Sequence, residues 1–178
     1  MSLLFEEKKY LLSEPFAAFQ QSKQRTIGQH ILSLDSRQIG TVALPSGRLA
    51  VFDPALHART FIDGIEPGSY PLLLATALDE HPELGEFVAY AALCVRDTLP
   101  VRWVDHGQRI SIVSDVLYCC DVAREGQPLT VSLRDEELWR MDEGATLLSA
   151  CTEQVALHNG YDAQGHLACV LFDLNMLY

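Results

Sequence analysis

No apolar run in this sequence approaches the roughly eighteen residues that a membrane helix needs, because a charged or polar side chain interrupts each one well before that length. The opening residues, Met-Ser-Leu-Leu-Phe-Glu-Glu-Lys-Lys, bring charges in after three apolar side chains, so a secretory signal peptide is not expected there. Cysteine forms no C-x-x-C pair. The five thiols, Cys94, Cys119, Cys120, Cys151 and Cys169, are an odd number at irregular spacing, which suits reduced cysteines rather than a disulfide framework. These absences lead us to expect a cytoplasmic protein with no membrane partner.

Basic residues are scarce. Thirteen Lys and Arg stand against 24 Asp and Glu, for a formal net charge of −11. Such a surface repels phosphate backbones and attracts cationic surfaces, so a nucleic-acid partner is not expected and a basic protein partner is. The chemical motifs are equally sparse. There is no G-x-G-x-x-G, no phosphate-binding loop, no calcium-loop spacing, no H-E-x-x-H and no G-x-S-x-G. No cofactor, no metal site and no catalytic residue is therefore assigned.

What is present is an ordinary globular chain of 178 residues, 48% of them apolar, which suits one domain over 1–178. Residues 1–25 read as a helical arm: Ser13 and Glu14 precede Pro15, a favoured first-turn residue, and Phe16 and Phe19 follow at an i, i+3 spacing. Beyond it the apolar period becomes two. Strands are expected over Thr26–Leu34, Ile39–Leu44, Arg48–Phe52, Ser69–Ala77, Glu86–Arg96, Pro100–Val104, Ile110–Val122 and Gln127–Leu133. Leu44-Pro45-Ser46-Gly47 suits a type I turn closing a hairpin, and Glu66-Pro67-Gly68 suits a type II turn. Glu86–Arg96 is apolar on both parities and reads as a central strand, with Phe87, Ala89, Ala91 and Leu93 on one face and Val88, Tyr90, Ala92 and Cys94 on the other. Leu138, Met141 and Ala145 share a helical stripe, so a short helix is expected near Asp135–Met141. A last hairpin turns at Asp162–Gly165, and Trp103 is expected in the core. The class is mainly β (β-rich α+β): a single-domain sandwich or rolled antiparallel sheet with one or two short helices.

Several side chains carry possible chemistry. Asp115 and Asp121 interrupt an apolar strand on one parity and could serve as an acid–base pair in a hydrolase-like enzyme, the alternative to a binding role. Cys119 and Cys120 are adjacent, but on a strand they point to opposite faces. In the last hairpin, Tyr161 opposite His166 would set His158 against Cys169, still too few ligands for zinc. The most distinctive surface signal runs from Arg134 to Glu143. There Asp135, Glu136, Glu137, Asp142 and Glu143 surround Trp139, and tryptophan rimmed by carboxylates suits a contact with a basic protein.

An ordered set of phrases carries a resemblance. Leu44-Pro45-Ser46-Gly47-Arg48, Val51-Phe52-Asp53-Pro54, Glu66-Pro67-Gly68-Ser69-Tyr70-Pro71-Leu72, Val101-Arg102-Trp103, Ser114-Asp115 through Cys120-Asp121, and Gly160-Tyr161-Asp162-Ala163-Gln164-Gly165 appear in turn. Over roughly residues 40–173 this resembles a bacterial family of unknown function, domain of unknown function four-two-four-one. The family's glycine-rich Ser-Gly-x-Gly-Asp-Gly phrase is replaced here by Ser149-Ala150-Cys151-Thr152-Glu153-Gln154, and the glycine that follows its aspartate is missing after Asp115. The resemblance implies small bacterial proteins encoded near secreted toxins. With the acidic surface, it leads to the expectation of an immunity protein that neutralises a cognate toxin by direct binding.

Overall fold

The computed structural model describes residues 24–27, 30–80, 85–98, 100–127, 132–142 and 144–174. Among them are twelve strands: β1 (Gln24–Ile27), β2 (His30–Leu44), β3 (Leu49–Phe52), β4 (Thr60–Ile62), β5 (Gly68–Asp79), β6 (Glu86–Cys94), β7 (Arg102–Ser111), β8 (Val116–Asp121), β9 (Trp139–Asp142), β10 (Ala145–Ser149), β11 (Gln154–Tyr161) and β12 (Leu167–Asp173). A single 3-10 turn, Val122–Arg124, follows β8. A large sheet runs β1-β2-β5-β6-β12-β11-β7 and a small one runs β4-β3-β8-β10-β9, with every pairing antiparallel. This is the mainly β sandwich that the period-two patterning implied. Among the described residues no helix is long and apolar enough to cross a membrane.

The core lies between the sheets. Val42, Leu72, Leu74, Leu93, Leu157, Val170 and Phe172 from the large sheet meet Leu49, Val51, Ile62, Leu117 and Leu148 from the small one. Burying a side chain of this size is worth roughly 1.5–3 kcal/mol, so this layer is what holds the sheets together. Each sheet also has a second apolar face. On the large sheet it comprises Leu73, Ala75, Ala77, Phe87, Tyr90, Ala92 and Leu171, and on the small sheet Ala50, Phe52, Tyr118, Cys120 and Leu147.

Strand β6 is central and buried on both faces, as its double apolar pattern required. Its parity, however, switches partway. Ala75 pairs with Tyr90 but Thr76 with Val88, so Ala89 is an extra residue in a bulge. Val88 therefore joins Ala91 and Leu93 in the inter-sheet core, and Phe87 turns outward with Tyr90.

The turn at Leu44–Gly47 forms, with the Gly47 N–H donating to the Leu44 carbonyl at 3.1 Å, but it closes no hairpin. Strand β2 pairs with β1 and β5 in the large sheet, whereas β3 pairs with β4 and β8 in the small one. The turn is thus a crossing between layers. Gly47 sits at φ +70°, and a Cβ there would stand 2.3 Å from the Ile65 carbonyl oxygen, so both conformation and space call for glycine. Gly68 lacks the left-handed conformation that a type II turn needs; it opens β5 instead, with the Tyr70 hydroxyl donating back to the Glu66 carbonyl.

Other expectations are corrected too. The helix near Asp135–Met141 is a turn followed by strand β9. Glu136 takes a left-handed φ of 66°, which a right-handed helix cannot contain, and Trp139 to Asp142 pair with Leu148 to Ala145. Residues 1–23 of the helical arm expected over 1–25 fall outside those described, and its last two residues, Gln24 and Arg25, belong to β1. The strand expected over Ile110–Val122 is broken by a loop at 112–115, and in the expected strand Gln127–Leu133 the described residues are irregular.

The last hairpin closes with a three-residue loop. The Gly165 N–H donates to the Asp162 carbonyl at 3.0 Å and Gly165 is left-handed at φ 83°, so Asp162 faces His166. A further irregularity between Gly160 and Tyr161 shifts the register again, placing His158 opposite Leu171 and Cys169 opposite Gly160. The His158–Cys169 pairing does not occur. Gly160 instead makes room for Trp103, which is half-buried rather than in the core, while its neighbour Val101 is 62% exposed. A Cβ on Gly160 would lie 2.8 Å from both Pro100 Cβ and the Trp103 ring. Gly160→Ala should therefore cost about 1–3 kcal/mol through overpacking, measured by urea unfolding. An unchanged midpoint would show that the ring is not seated there.

Candidate functional site

The acidic stretch lies where the small sheet ends. Arg134–Glu137 is a tight turn, closed by the Glu137 N–H donating to the Arg134 carbonyl at 3.0 Å. The Glu137 carboxylate is committed locally: it accepts from the Arg134 N–H at 2.9 Å and lies 2.8 Å from an Arg140 guanidinium nitrogen. The Arg134 amide and then Arg140 hold its pKa below the ordinary range. Asp135 and Glu136 are exposed at the tip, and neither has an ion pair among the described residues. Strand β9 follows as the edge of the small sheet, with Trp139 and Met141 packed inward and only partly buried, and Asp142 half-buried. Glu143 lies outside the described residues. The structure therefore brings Asp135, Glu136, Trp139 and Asp142 to one sheet edge and withdraws Glu137 into an internal pair.

The Asp115–Asp121 pair is not brought together. Asp115 precedes β8 and Asp121 ends it, so the six-residue strand separates them by roughly 20 Å. Their environments also differ. Asp115 is exposed with φ 57°, whereas Asp121 has no exposure. Asp121 accepts from the Ser46 N–H at 2.8 Å, the Ser46 hydroxyl at 2.7 Å and the Ala123 N–H at 2.8 Å. Asp53, 1% exposed, accepts from the N–H groups of Val113 (2.6 Å), Ser114 (2.8 Å) and Ala55 (2.7 Å) and from the Ser114 hydroxyl (2.7 Å). Asp162 does the same inside the last hairpin, accepting from the N–H groups of Gln164 and His166 and from the Thr98 hydroxyl. Burial alone would raise all three carboxyls, but the converging donors outweigh it and hold them below the usual aspartate value. A carboxylate stabilised in this way is a poor proton carrier near neutral pH.

The adjacent thiols Cys119 and Cys120, both buried, shift in the opposite direction. Cys119 faces the inter-sheet core and Cys120 the opposite face, as adjacent strand residues must. Burial pushes the Cys119 thiol far up, and it pushes Cys120 up to about 11 with help from the Asp121 and Glu125 charges. Among the described residues no three His, Cys, Asp or Glu side chains cluster as a metal site would require.

One grouping went unnoticed in the sequence. Strand β7 pairs Arg109 with Ala156 but Asp105 with His158, so β7 carries two extra residues in a bulge marked by Gly107 at φ 79°. The bulge lets Arg109 grip Asp105 through two hydrogen bonds of 2.9 and 2.8 Å beside His158. Hydrogen bonds from Arg109, then from the Gly107 N–H, hold Asp105 far below the carboxylate range, with His158 adding to them. His106-Gly107 inside a strand was the available signal for a bulge. The pair is exposed and is satisfied internally. Arg109 also borders a cleft of about 190 Å³ with His57, Thr60 and Ser111, smaller than the roughly 300–1,000 Å³ of small-molecule pockets.

The Asp53 arrangement has a measurable cost. Asp53→Ala strands three N–H donors and a hydroxyl, so it should lose about 3–5 kcal/mol in urea unfolding, while Asp115→Asn should change stability by less than about 0.5 kcal/mol. Because the folded pKa of Asp53 lies below the ordinary 3.8, its contribution is complete above about pH 4 and is lost as pH falls through the folded value. Asp53→Ala should therefore also flatten the acid limb of stability; a limb as steep as in the parent would mean Asp53 is not among the groups that drive it. Comparison with protein-family models, with curated proteins and with solved structures finds no match for this chain.

Proposed function

We propose that this chain is a cytoplasmic immunity protein that neutralises a cognate bacterial toxin by binding a basic surface of it directly. The contact is the acidic stretch from Asp135 to Glu143, whose described part is the turn and edge strand β9. The observation that carries the reading is the pair of exposed carboxylates, Asp135 and Glu136, without ion-pair partners among the described residues and beside β9, the edge strand of the small sheet among those residues. An edge strand offers backbone groups to an incoming segment, the two acids steer a cationic partner onto it, and the half-buried Trp139 supplies a rigid aromatic surface beside them. The overall charge of −11 extends the same attraction to longer range. The resemblance to the bacterial family, whose members accompany secreted toxins, points the same way. The internal commitment of Asp53, Asp121 and Asp162 favours binding over acid–base catalysis.

The test uses the purified product of the reading frame adjacent to this gene. Asp135→Lys with Glu136→Lys should slow its association with this chain about tenfold and weaken the salt dependence, leaving unfolding stability within about 0.5 kcal/mol. Growth protection on co-expression should fall in parallel. Unchanged association and protection in the double variant would remove this surface from the interaction, and failure of the unaltered protein to bind that product would count against immunity itself.

A further inference from the structure

Among the described residues the small sheet has two edge strands, and they stand in different electrostatic settings. Beside β9 lies the acidic turn. At the far edge, β4 and the loop before it approach β7 of the large sheet and border the cleft of about 190 Å³. Its polar lining is His57, Thr60, Arg109 and Ser111, with Leu56 and Ile110 among its apolar side chains. In a chain with 24 acids, no described carboxylate lines it.

The surroundings add donors and remove acceptors. Arg59, which is not part of the lining, donates to the carbonyls of Leu56 and Ala58 and so occupies acceptors of that loop. It lies over the Phe52 ring at 3.7 Å and 3.3 Å from the Glu125 carboxylate, which keeps it there. On β7, the Ile112 N–H donates to the Glu153 carbonyl at 2.9 Å. Antiparallel alternation then turns the N–H groups of Arg109 and Ser111 away from β11, none of whose residues lines the cleft. Arg109 also keeps donors in reserve. Two of its five guanidinium N–H groups bond Asp105 at 2.9 and 2.8 Å and a third lies 3.4 Å from the Gln108 carbonyl, so two are left for a ligand. Of the two acids that act on Arg109, Asp105 is already paired and Asp173 is buried.

We propose that this cleft binds a free oxyanion of phosphate size, held by the Arg109 guanidinium, the His57 ring N–H and the hydroxyls of Ser111 and Thr60. Its volume admits such an ion with a few waters, at roughly 30 Å³ each, and excludes a nucleotide. Guanidinium bonds to an oxyanion are charge-assisted and roughly twice as strong as neutral ones. Repulsion from the remaining acids is screened beyond about 8 Å at physiological ionic strength.

Inorganic phosphate, titrated into the protein at constant ionic strength against chloride, tests this by amide NMR. The amides of His57, Ala58, Arg109 and Ser111 should shift together and saturate, with half-saturation near about 1 mM, and sulfate should compete. Ser111→Asp places a carboxylate in the cleft and leaves the Arg109–Asp105 pair intact, whereas Arg109→Gln removes the guanidinium. Each should weaken phosphate binding roughly tenfold or more, because a hydrogen bond to a charged group is lost or opposed. Asp135→Lys with Glu136→Lys, at the opposite edge, should leave it unchanged. Shifts that do not saturate, or that chloride reproduces, overturn the proposal, and so does wild-type phosphate affinity in Arg109→Gln.

Discussion

The described strands cross four times between the two sheets, and at two of these crossings a buried carboxylate takes up backbone donors that no strand ladder pairs. Strand β2 hands over to β3 through the turn at Pro45–Arg48, and Asp121, at the far end of β8, receives both the amide and the hydroxyl of Ser46. Strand β7 hands over to β8 through 112–115, and Asp53, at the end of β3, receives the amides of Val113 and Ser114. Each aspartate ends one of two adjacent strands of the small sheet and binds the crossing that feeds the other. An ionised carboxylate can accept several N–H groups at once, and such charge-assisted bonds are roughly twice as strong as neutral ones. Without them the crossings would leave buried amides unpaired at the seam of the sandwich.

This division of labour bears on function. The buried acids Asp53, Asp121 and Asp162 are occupied by backbone donors, and four of the five thiols are buried, Cys151 alone being exposed. On the surface, Asp135 and Glu136 stand side by side beside β9, and neither has an ion pair among the described residues. Glu137 shows the contrast within three residues, since Arg140 neutralises it while Asp135 and Glu136 face solvent. Under the proposed reading, recognition runs through the charge beside β9 rather than through a substrate cavity.

Part of this was legible in the residues themselves. The unbroken apolar run of β6 announced burial on both faces, and the period of two announced sheets. Turn chemistry located Leu44–Gly47 and Asp162–Gly165 correctly. It could not say which strands each turn joins, because a turn of the same residues serves a hairpin or a crossing between layers. Bulges defeated the register. Ala89 reverses the faces of β6 without changing composition, and two single-residue shifts moved His158 from Cys169 to Leu171. The spacing of Leu138 and Met141 fits a helix, yet backbone pairing with β10 and the left-handed Glu136 prevailed over that local pattern. The role of Asp53 and Asp121 was not legible: Asp121 read as half of an acid–base pair with Asp115, and the Val113, Ser114 and Ser46 donors lie 60 or more residues away in the chain.

The central claim is that buried carboxylates, rather than strand pairing, lock the two crossings. Amide hydrogen exchange reads this directly. The N–H groups of Ser46, Val113 and Ser114 lie outside regular strands, yet they should exchange as slowly as those of Val51 and Cys119 in the paired centre of the small sheet, through opening of the whole fold. Exchange of Ser46, Val113 and Ser114 at the rate of unprotected surface loops, with β3 and β8 still protected, would contradict the account.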